Sequence, residues 1–164
     1  MIRGARQRRH EDDEGFTLIE LLVVMIIIGI LATIAIPVFL NQRKGGYNAA
    51  VKTDLANVAN AFESAVVEKG GDYTLLFAAG KGKAGDSLAS SGSLTVANLA
   101  AATAMEFAGT QNVNLTLGAD VTPTSFCVYG ENALNTGTFW VASRLKGGVL
   151  PGSYSTTALA KAAC

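Results

Sequence analysis

The chain has 164 residues, enough for one domain or for a small domain with an appendage. Its 13 basic residues are balanced by 13 acidic residues, so its charge does not indicate nucleic-acid binding through a positive surface. The single histidine, His10, lies in the charged N-terminal stretch, which excludes a Ser-His-Asp triad or a His-rich zinc site in the body of the chain. Most of the chemistry used by soluble hydrolases is thereby excluded.

The longest apolar run, Leu21–Leu40, contains no charged residue. At 1.5 Å per residue a helix of this length spans about 30 Å, the thickness of the hydrocarbon core of a bilayer. The run is longer than the apolar region of a secretory signal, which has about 7–15 residues. A buried helix of a soluble core is the alternative, but no second element is apolar enough to cover it. The run predicts a membrane helix, or a helix that leaves the membrane for an environment made only of protein.

The first fifteen residues are polar and contain four arginines. Basic residues next to a membrane helix favour the cytoplasmic side, and acidic residues contribute little to this rule. We therefore predict a single-pass protein of the cytoplasmic membrane with its N-terminus inside and its C-terminus outside.

Glu20 places a carboxylate among apolar residues at the start of this segment. A carboxylate at the centre of a bilayer costs about 2.5–3.5 kcal/mol, and such residues usually have a partner. The alternative is that Glu20 lies close to the cytoplasmic interface and only benefits from the helix N-terminus.

The sequence from Gly15 to Glu20, GFTLIE, followed by the apolar run, resembles the processing and assembly signature of type IV pilins and their pseudopilin relatives. The resemblance covers residues 10–45, and the stretch Pro37–Lys44 looks most like pilins of Gram-positive bacteria. It implies that a membrane peptidase cuts after Gly15 and methylates the new N-terminus at Phe16. It also implies that Glu20 pairs with the N-terminal amine of a neighbouring subunit in a filament.

The resemblance further implies a cleaved cytoplasmic leader over residues 1–15, a hydrophobic stalk helix over 16–46 and a globular head over 47–164. The mature chain would be the structural subunit of an extracellular type IV pilus filament. It would not be an enzyme, and no catalytic residues, metal or cofactor are expected. Its partners would be copies of itself, a prepilin peptidase, an inner-membrane assembly platform, a cytoplasmic assembly ATPase, and the membrane before assembly. Two alternatives remain: a pseudopilin like those of type II secretion, and a membrane-tethered surface binding module in which Gly15 and Glu20 have no special role.

Gly29 and Pro37 interrupt the apolar helix. A proline inside a helix costs about 3 kcal/mol and a glycine about 1 kcal/mol. The resemblance implies that the segment between them, residues 29–37, loses helical order in the filament. A simple kink, which membrane helices tolerate, is the alternative.

A second helical pattern follows the apolar run. Its apolar residues are spaced by three and four, as in an amphipathic helix that needs a partner surface: Val51, Leu55, Val58, Phe62, Ala65 and Val66. The pair Gly70-Gly71 is expected to end it. The pair Gly45-Gly46 is a point where the chain could bend; without a bend, one helix would extend over residues 17–69.

The C-terminal half contains three stretches with strand-like patterns, at residues 112–117, 125–129 and 138–143. They predict a small antiparallel sheet whose apolar face covers the helix near Val58 and Phe62. Residues 72–93 are rich in Gly, Ala and Ser and are expected to form a loop. The predicted fold class is α+β, with a long N-terminal helix packed against this sheet as in pilins.

The chain contains two cysteines, Cys127 and Cys164. On the outer side of a membrane such a pair is usually bridged, and the bridge would fix the C-terminal tail to the middle strand. Two free thiols are the alternative. A catalytic cysteine is disfavoured, because no histidine follows the leader to act as its base.

Overall fold

The structure, a computed structural model, describes residues 16–90, 93–94, 100, 107 and 109–164. The predicted leader, including Gly15, lies outside the described residues. The chain forms two compact units, of which the first ends at Leu40 and the second comprises Asn41–Cys164. The predicted boundaries after residues 15 and 46 stay predictions.

Helix α1 comprises Leu18–Glu68 and continues through Gly45 and Gly46. It ends close to the predicted stop, where Gly70 and Gly71 both have positive φ. The Lys69 and Gly71 amides both donate to the Val66 carbonyl at 3.0 Å, so this carbonyl in the last turn of the helix is satisfied. The predicted helix end is confirmed.

The first unit exposes its apolar side chains. Every residue from 16 to 40 is exposed except Ala32, which is half-buried. Helix α1 is long and apolar enough to cross a membrane, and none of its most apolar segment is buried. An apolar surface of this extent requires lipid or other protein to cover it.

The second unit contains an antiparallel sheet of six strands within the described residues, in the order β2-β1-β3-β4-β5-β6. The strands are β1 (Ser87–Ser90), β2 (Ser93–Leu94), β3 (Val113–Leu117), β4 (Cys127–Asn132), β5 (Trp140–Ser143) and β6 (Gly148–Val149). The three predicted strands are present as β3, β4 and β5. The predicted α+β class, with a long helix packed against an antiparallel sheet, is confirmed.

The core of the second unit lies between one face of α1 and the sheet. The predicted apolar helix residues are all buried, and Val51, Leu55, Val58 and Phe62 are fully inaccessible. The Phe62 ring meets the Phe126 ring edge-on, with 4.9 Å between their centres. The prediction that the sheet covers the helix near Val58 and Phe62 is confirmed.

The prediction of a loop over residues 72–93 is wrong. The segment contains a 3₁₀ helix, Tyr73–Leu76, and the strand β1. Leu76 and Leu88 are buried in the core. Pairing with β3 supplies hydrogen bonds that a Ser-rich sequence does not signal, because such residues have little intrinsic preference for strands.

The C-terminal tail also has structure that its sequence did not indicate. Strand β6 pairs with β5, and helix α2 comprises Thr157–Ala162. Thr156 caps this helix by accepting a hydrogen bond from the Leu159 amide, and Ala160 is fully buried. The tail is therefore part of the fold rather than a flexible extension.

Candidate processing and assembly site

Glu20 closes a capping box at the start of α1. Its Oε2 accepts hydrogen bonds from the Thr17 amide at 2.9 Å and from the Thr17 hydroxyl at 2.8 Å. The Thr17 hydroxyl in turn accepts from the Glu20 amide at 3.3 Å. This reciprocal pattern satisfies two amides that have no partner inside the helix. Thr17 is the residue that sequence reasoning missed, although its spacing of three from a glutamate is the signature of such a box.

Only one of the two carboxylate oxygens of Glu20, Oε2, takes part in this capping box. Its Oε1 accepts no hydrogen bond from the described residues, and the side chain is exposed. Phe16, the predicted first residue of the mature chain, is 82% exposed at the same helix end. Glu20 therefore lies in the first turn of α1, and one of its carboxylate oxygens is available to a cation.

Gly29 and Pro37 both lie inside α1. Because proline has no N–H, the Thr33 carbonyl lacks its usual donor four residues later. The Thr33 hydroxyl donates to the Gly29 carbonyl at 2.9 Å. The loss of helical order between them in a filament stays a prediction.

A disulfide joins Cys127, at the start of β4, to Cys164 at the C-terminus, with 5.5 Å between their Cα atoms. It lies in a second apolar cluster with Val141 and Ala160. A Cβ atom at Gly118 would collide with the Cys164 sulfur, so the bridge requires a glycine there. The bridge attaches α2 and the chain end to the middle of the sheet.

Asp120 is part of a loop contact in the second unit. Its carboxylate accepts from the Ala84 amide at 2.8 Å and from Lys83 Nζ at 3.1 Å. The bond from the Ala84 amide, and then the bond from Lys83, hold the pKa of the Asp120 carboxyl below its usual value. Among the described residues, no three His, Cys, Asp or Glu side chains are grouped as metal ligands.

Sequence reasoning missed a polar cluster that links α1 to the end of β5. Arg144 Nε lies 3.0 Å from Glu63 Oε1 and 2.5 Å from the Tyr73 hydroxyl. Burial, followed by its hydrogen bond with Glu63, raises the pKa of Tyr73. No sequence spacing signals this cluster, since its members come from three separate elements.

Comparison with known proteins identifies the N-terminal part of the chain. Residues 12–36 match the family described as the prokaryotic N-terminal methylation motif. The type IV major pilin protein of Myxococcus xanthus is 46% identical over 57 residues, which are 35% of this chain and 26% of that protein. The type IV narrow pilus major component of Thermus thermophilus is 43% identical over 58 residues, which are 35% of this chain and 50% of that protein. The type IV major fimbrial protein of Dichelobacter nodosus is 42% identical over 55 residues, or 34% and 35% of the two chains.

The N-terminal third of the chain is similar to this motif and to these type IV pilus and fimbrial proteins. The predicted resemblance to the type IV pilin family is thereby confirmed. Each match covers between about a quarter and a half of the relative's length. All three relatives are named as major proteins of pili or fimbriae, in agreement with the prediction of a structural protein. No solved structure matches the chain.

Proposed function

We propose that the chain is the structural subunit of an extracellular type IV pilus filament, synthesised as a prepilin. The observation that carries this proposal is the match of residues 12–36 to the methylation motif, which overlaps a helical segment, residues 16–40, whose apolar side chains are exposed among the described residues. Packing many copies side by side would bury that surface in protein. Head-to-tail packing that does not close on itself gives an open helical fibre.

Maturation would occur at the bond between Gly15 and Phe16. A prepilin peptidase would cut this bond and methylate the new amine of Phe16. The missing side chain at Gly15 would let the peptidase approach the backbone closely. The capping box begins at Thr17, one residue after the proposed new N-terminus, so Phe16 precedes helix α1.

Assembly would use the charge of Glu20. After cleavage, the amine of Phe16 is a cation in an apolar setting, and the carboxylate of an adjacent subunit can neutralise it. Each charge is costly alone, whereas the pair fixes the register of neighbouring helices. The exposed Oε1 of Glu20, which takes no part in the capping box, is the atom suited to this contact.

Before assembly, the apolar half of α1 would cross the cytoplasmic membrane once, with its N-terminus inside. The four arginines of the leader support this orientation. An inner-membrane assembly platform, driven by a cytoplasmic ATPase, would move the processed subunit from the membrane into the filament. The second unit would then face the exterior, an oxidising setting that suits the disulfide.

The test is the intact mass and N-terminal sequence of protein sheared from the surface of cells that express the chain. We expect filaments whose subunit begins at methylated Phe16. Gly15→Leu should block cleavage, whereas the matched control Gly4→Leu, inside the leader but away from the cut, should be processed normally.

Two other results would point to the alternatives. A chain that begins at Met1 and occurs only in the membrane fraction would support the membrane-tethered binding module. A correctly cut and methylated chain that forms no surface filament would support the pseudopilin.

A further inference from the structure

A basic segment follows the apolar run of helix α1. Arg43 and Lys44 come three and four residues after Leu40 in the same helix, and both side chains are exposed. Residues 21–53 contain the basic residues Arg43, Lys44 and Lys52 and no acidic residue. The helix therefore carries two adjacent cations where its apolar part ends.

The groups that follow on the helix do not compete for the same anion. Asp54, the next acidic residue, is 2% exposed, and its carboxylate accepts from the Thr110 amide at 2.6 Å and from the Thr110 hydroxyl at 2.9 Å. Lys52 Nζ lies 3.8 Å from the centre of the Trp140 ring, a cation–π contact that directs it to the sheet. The pair of Arg43 and Lys44 is therefore the part of this segment that can attract an external anion.

Tyr47 orients the arginine of this pair. The Arg43 Nη2 atom donates to the Tyr47 hydroxyl at 2.7 Å, and the guanidinium carbon lies 5.7 Å from the centre of the tyrosine ring. Residues four apart on a helix are neighbours on its surface, and Tyr47 is half-buried. The guanidinium is thus held at a defined position along the helix, and its planar set of N–H groups suits a phosphate.

The position of these residues along the helix matches the depth of lipid headgroups. If the run Leu21–Leu40 fills the hydrocarbon core, Arg43 and Lys44 lie about 5–6 Å beyond its edge at 1.5 Å per residue. The headgroup region extends about 5–8 Å on each side of that core. Tyrosine is also enriched at this level of membrane proteins, because its ring is apolar and its hydroxyl is polar.

We propose that Arg43, Lys44 and Tyr47 bind the phosphate of an anionic phospholipid in the leaflet where this end of the span emerges. The inference rests on the proposed membrane crossing of α1 and adds the lipid class and the residues that bind it. A zwitterionic lipid carries a cation beside its phosphate, which would face Arg43 and Lys44, so an anionic headgroup is favoured. The contact would set the depth of the chain before assembly and would break when the subunit leaves the membrane.

Two measurements on the full-length chain test the membrane crossing and the lipid contact separately. Flotation with vesicles of phosphatidylcholine alone tests the crossing, because it depends on the apolar run and not on anionic lipid. Native mass spectrometry then tests the contact. The chain is released from micelles that contain equal amounts of phosphatidylglycerol and phosphatidylcholine with the same acyl chains, and the retained lipids of each kind are counted.

We expect the chain to float with phosphatidylcholine vesicles and to retain phosphatidylglycerol in preference. The preference should fall in about 0.5 M NaCl, since exposed charges are screened. Inorganic phosphate at the same concentration as the lipid should not displace phosphatidylglycerol, because it has no acyl chains to hold it at the helix. The arginines of the leader can also attract this lipid, so the deciding measure is the change between variants.

Replacing both Arg43 and Lys44 by glutamine should lower the preference about tenfold, because each cation near a lipid surface contributes up to about fivefold. The matched control replaces Lys81 and Lys161, two exposed lysines elsewhere in the second unit, and should keep the preference of the parent. Tyr47→Phe keeps the ring and both cations but removes the hydroxyl that holds Arg43, and should lower the preference about twofold.

The outcomes separate this inference from the proposed function. A chain that floats but retains both lipids equally would overturn the lipid contact and leave the membrane crossing intact. The same conclusion follows if the double glutamine variant keeps the parent's preference, if the lysine control loses it, or if inorganic phosphate displaces the lipid. A chain that does not float with phosphatidylcholine would overturn both.

Discussion

Replacing Gly130 by alanine tests how closely the sheet packs on helix α1. A Cβ atom at this position would lie 2.5 Å from Leu115 Cδ2 and 3.2 Å from Val51 Cγ1. Both side chains are fully buried, so neither can move without displacing other core groups. From the cost of overpacking, we expect the free energy of unfolding to fall by about 1–3 kcal/mol.

Gly46→Ala is the matched control, because it makes the same chemical change in the opposite environment. Gly46 lies inside α1, and a Cβ atom there would meet nothing within 4 Å. Alanine favours the helix over glycine by about 1 kcal/mol. The control should therefore raise the free energy of unfolding by about this amount.

Denaturant unfolding of the full-length chain in micelles measures both effects, with the fluorescence of the single tryptophan as the signal. Trp140 lies opposite Gly130 in the sheet, and Lys52 Nζ lies 3.8 Å from the centre of its ring. Its emission should change when the sheet separates from the helix. A Gly130→Ala chain as stable as the parent would refute the close contact, and a loss of stability in Gly46→Ala would show that the assay responds to any added methyl group.

Three further predictions concern the helix start, the disulfide and one loop. Glu20→Gln keeps an oxygen that can accept hydrogen bonds from Thr17 but removes the negative charge. It should therefore lower filament yield as much as Glu20→Ala does, while cleavage of the leader continues. A normal filament yield from Glu20→Gln would mean that Glu20 acts only as a helix cap. Replacing Cys127 and Cys164 by serine should lower the free energy of unfolding by about 2–4 kcal/mol, because the unfolded chain loses a closed loop; equal denaturation midpoints would contradict this. The pKa of Asp120 is lower in the folded chain than in the unfolded chain, where it is about 3.9. The ionised carboxylate therefore adds fully to the free energy of unfolding above the unfolded pKa, and this contribution is lost as the pH falls through the folded pKa. The stability difference between the parent and Asp120→Asn should therefore be constant from about pH 5 to 8 and shrink below about pH 4; a difference that grows in acid would refute it.

Local patterns in the sequence were enough to predict the N-terminal half. The GFTLIE motif and the uncharged run Leu21–Leu40 depend only on neighbours along the chain. The buried helix residues Val51, Leu55, Val58 and Phe62 follow from a spacing of three and four, which places them on one face of a helix. The alternation at residues 112–117 predicted β3 in the same way, because successive strand residues point to opposite faces.

The sheet edge and the tail could not be predicted in this way. Strand β1 has the sequence SLAS, which by its composition suits a loop as well as a strand. It is a strand because the backbone of β3 pairs with it. Helix α2 has six residues, too few to be stable alone, and is held by the disulfide and by the burial of Ala160.

The sequence by itself thus determined the motif, the apolar segment, the helix face and the pattern of the central strands, because each of these is a repeat or a run of neighbouring residues. Only the tertiary structure decided which distant groups meet. Tyr73 and Arg144 are separated by 71 positions, yet the register of β5 and the position of the 3₁₀ helix bring them to 2.5 Å. Other long-range contacts leave little room for a side chain at position 130, where an added Cβ atom would lie 2.5 Å from Leu115 Cδ2 and 3.2 Å from Val51 Cγ1. These features depend on how strands and helix pack together, and no local repeat in the sequence records that packing.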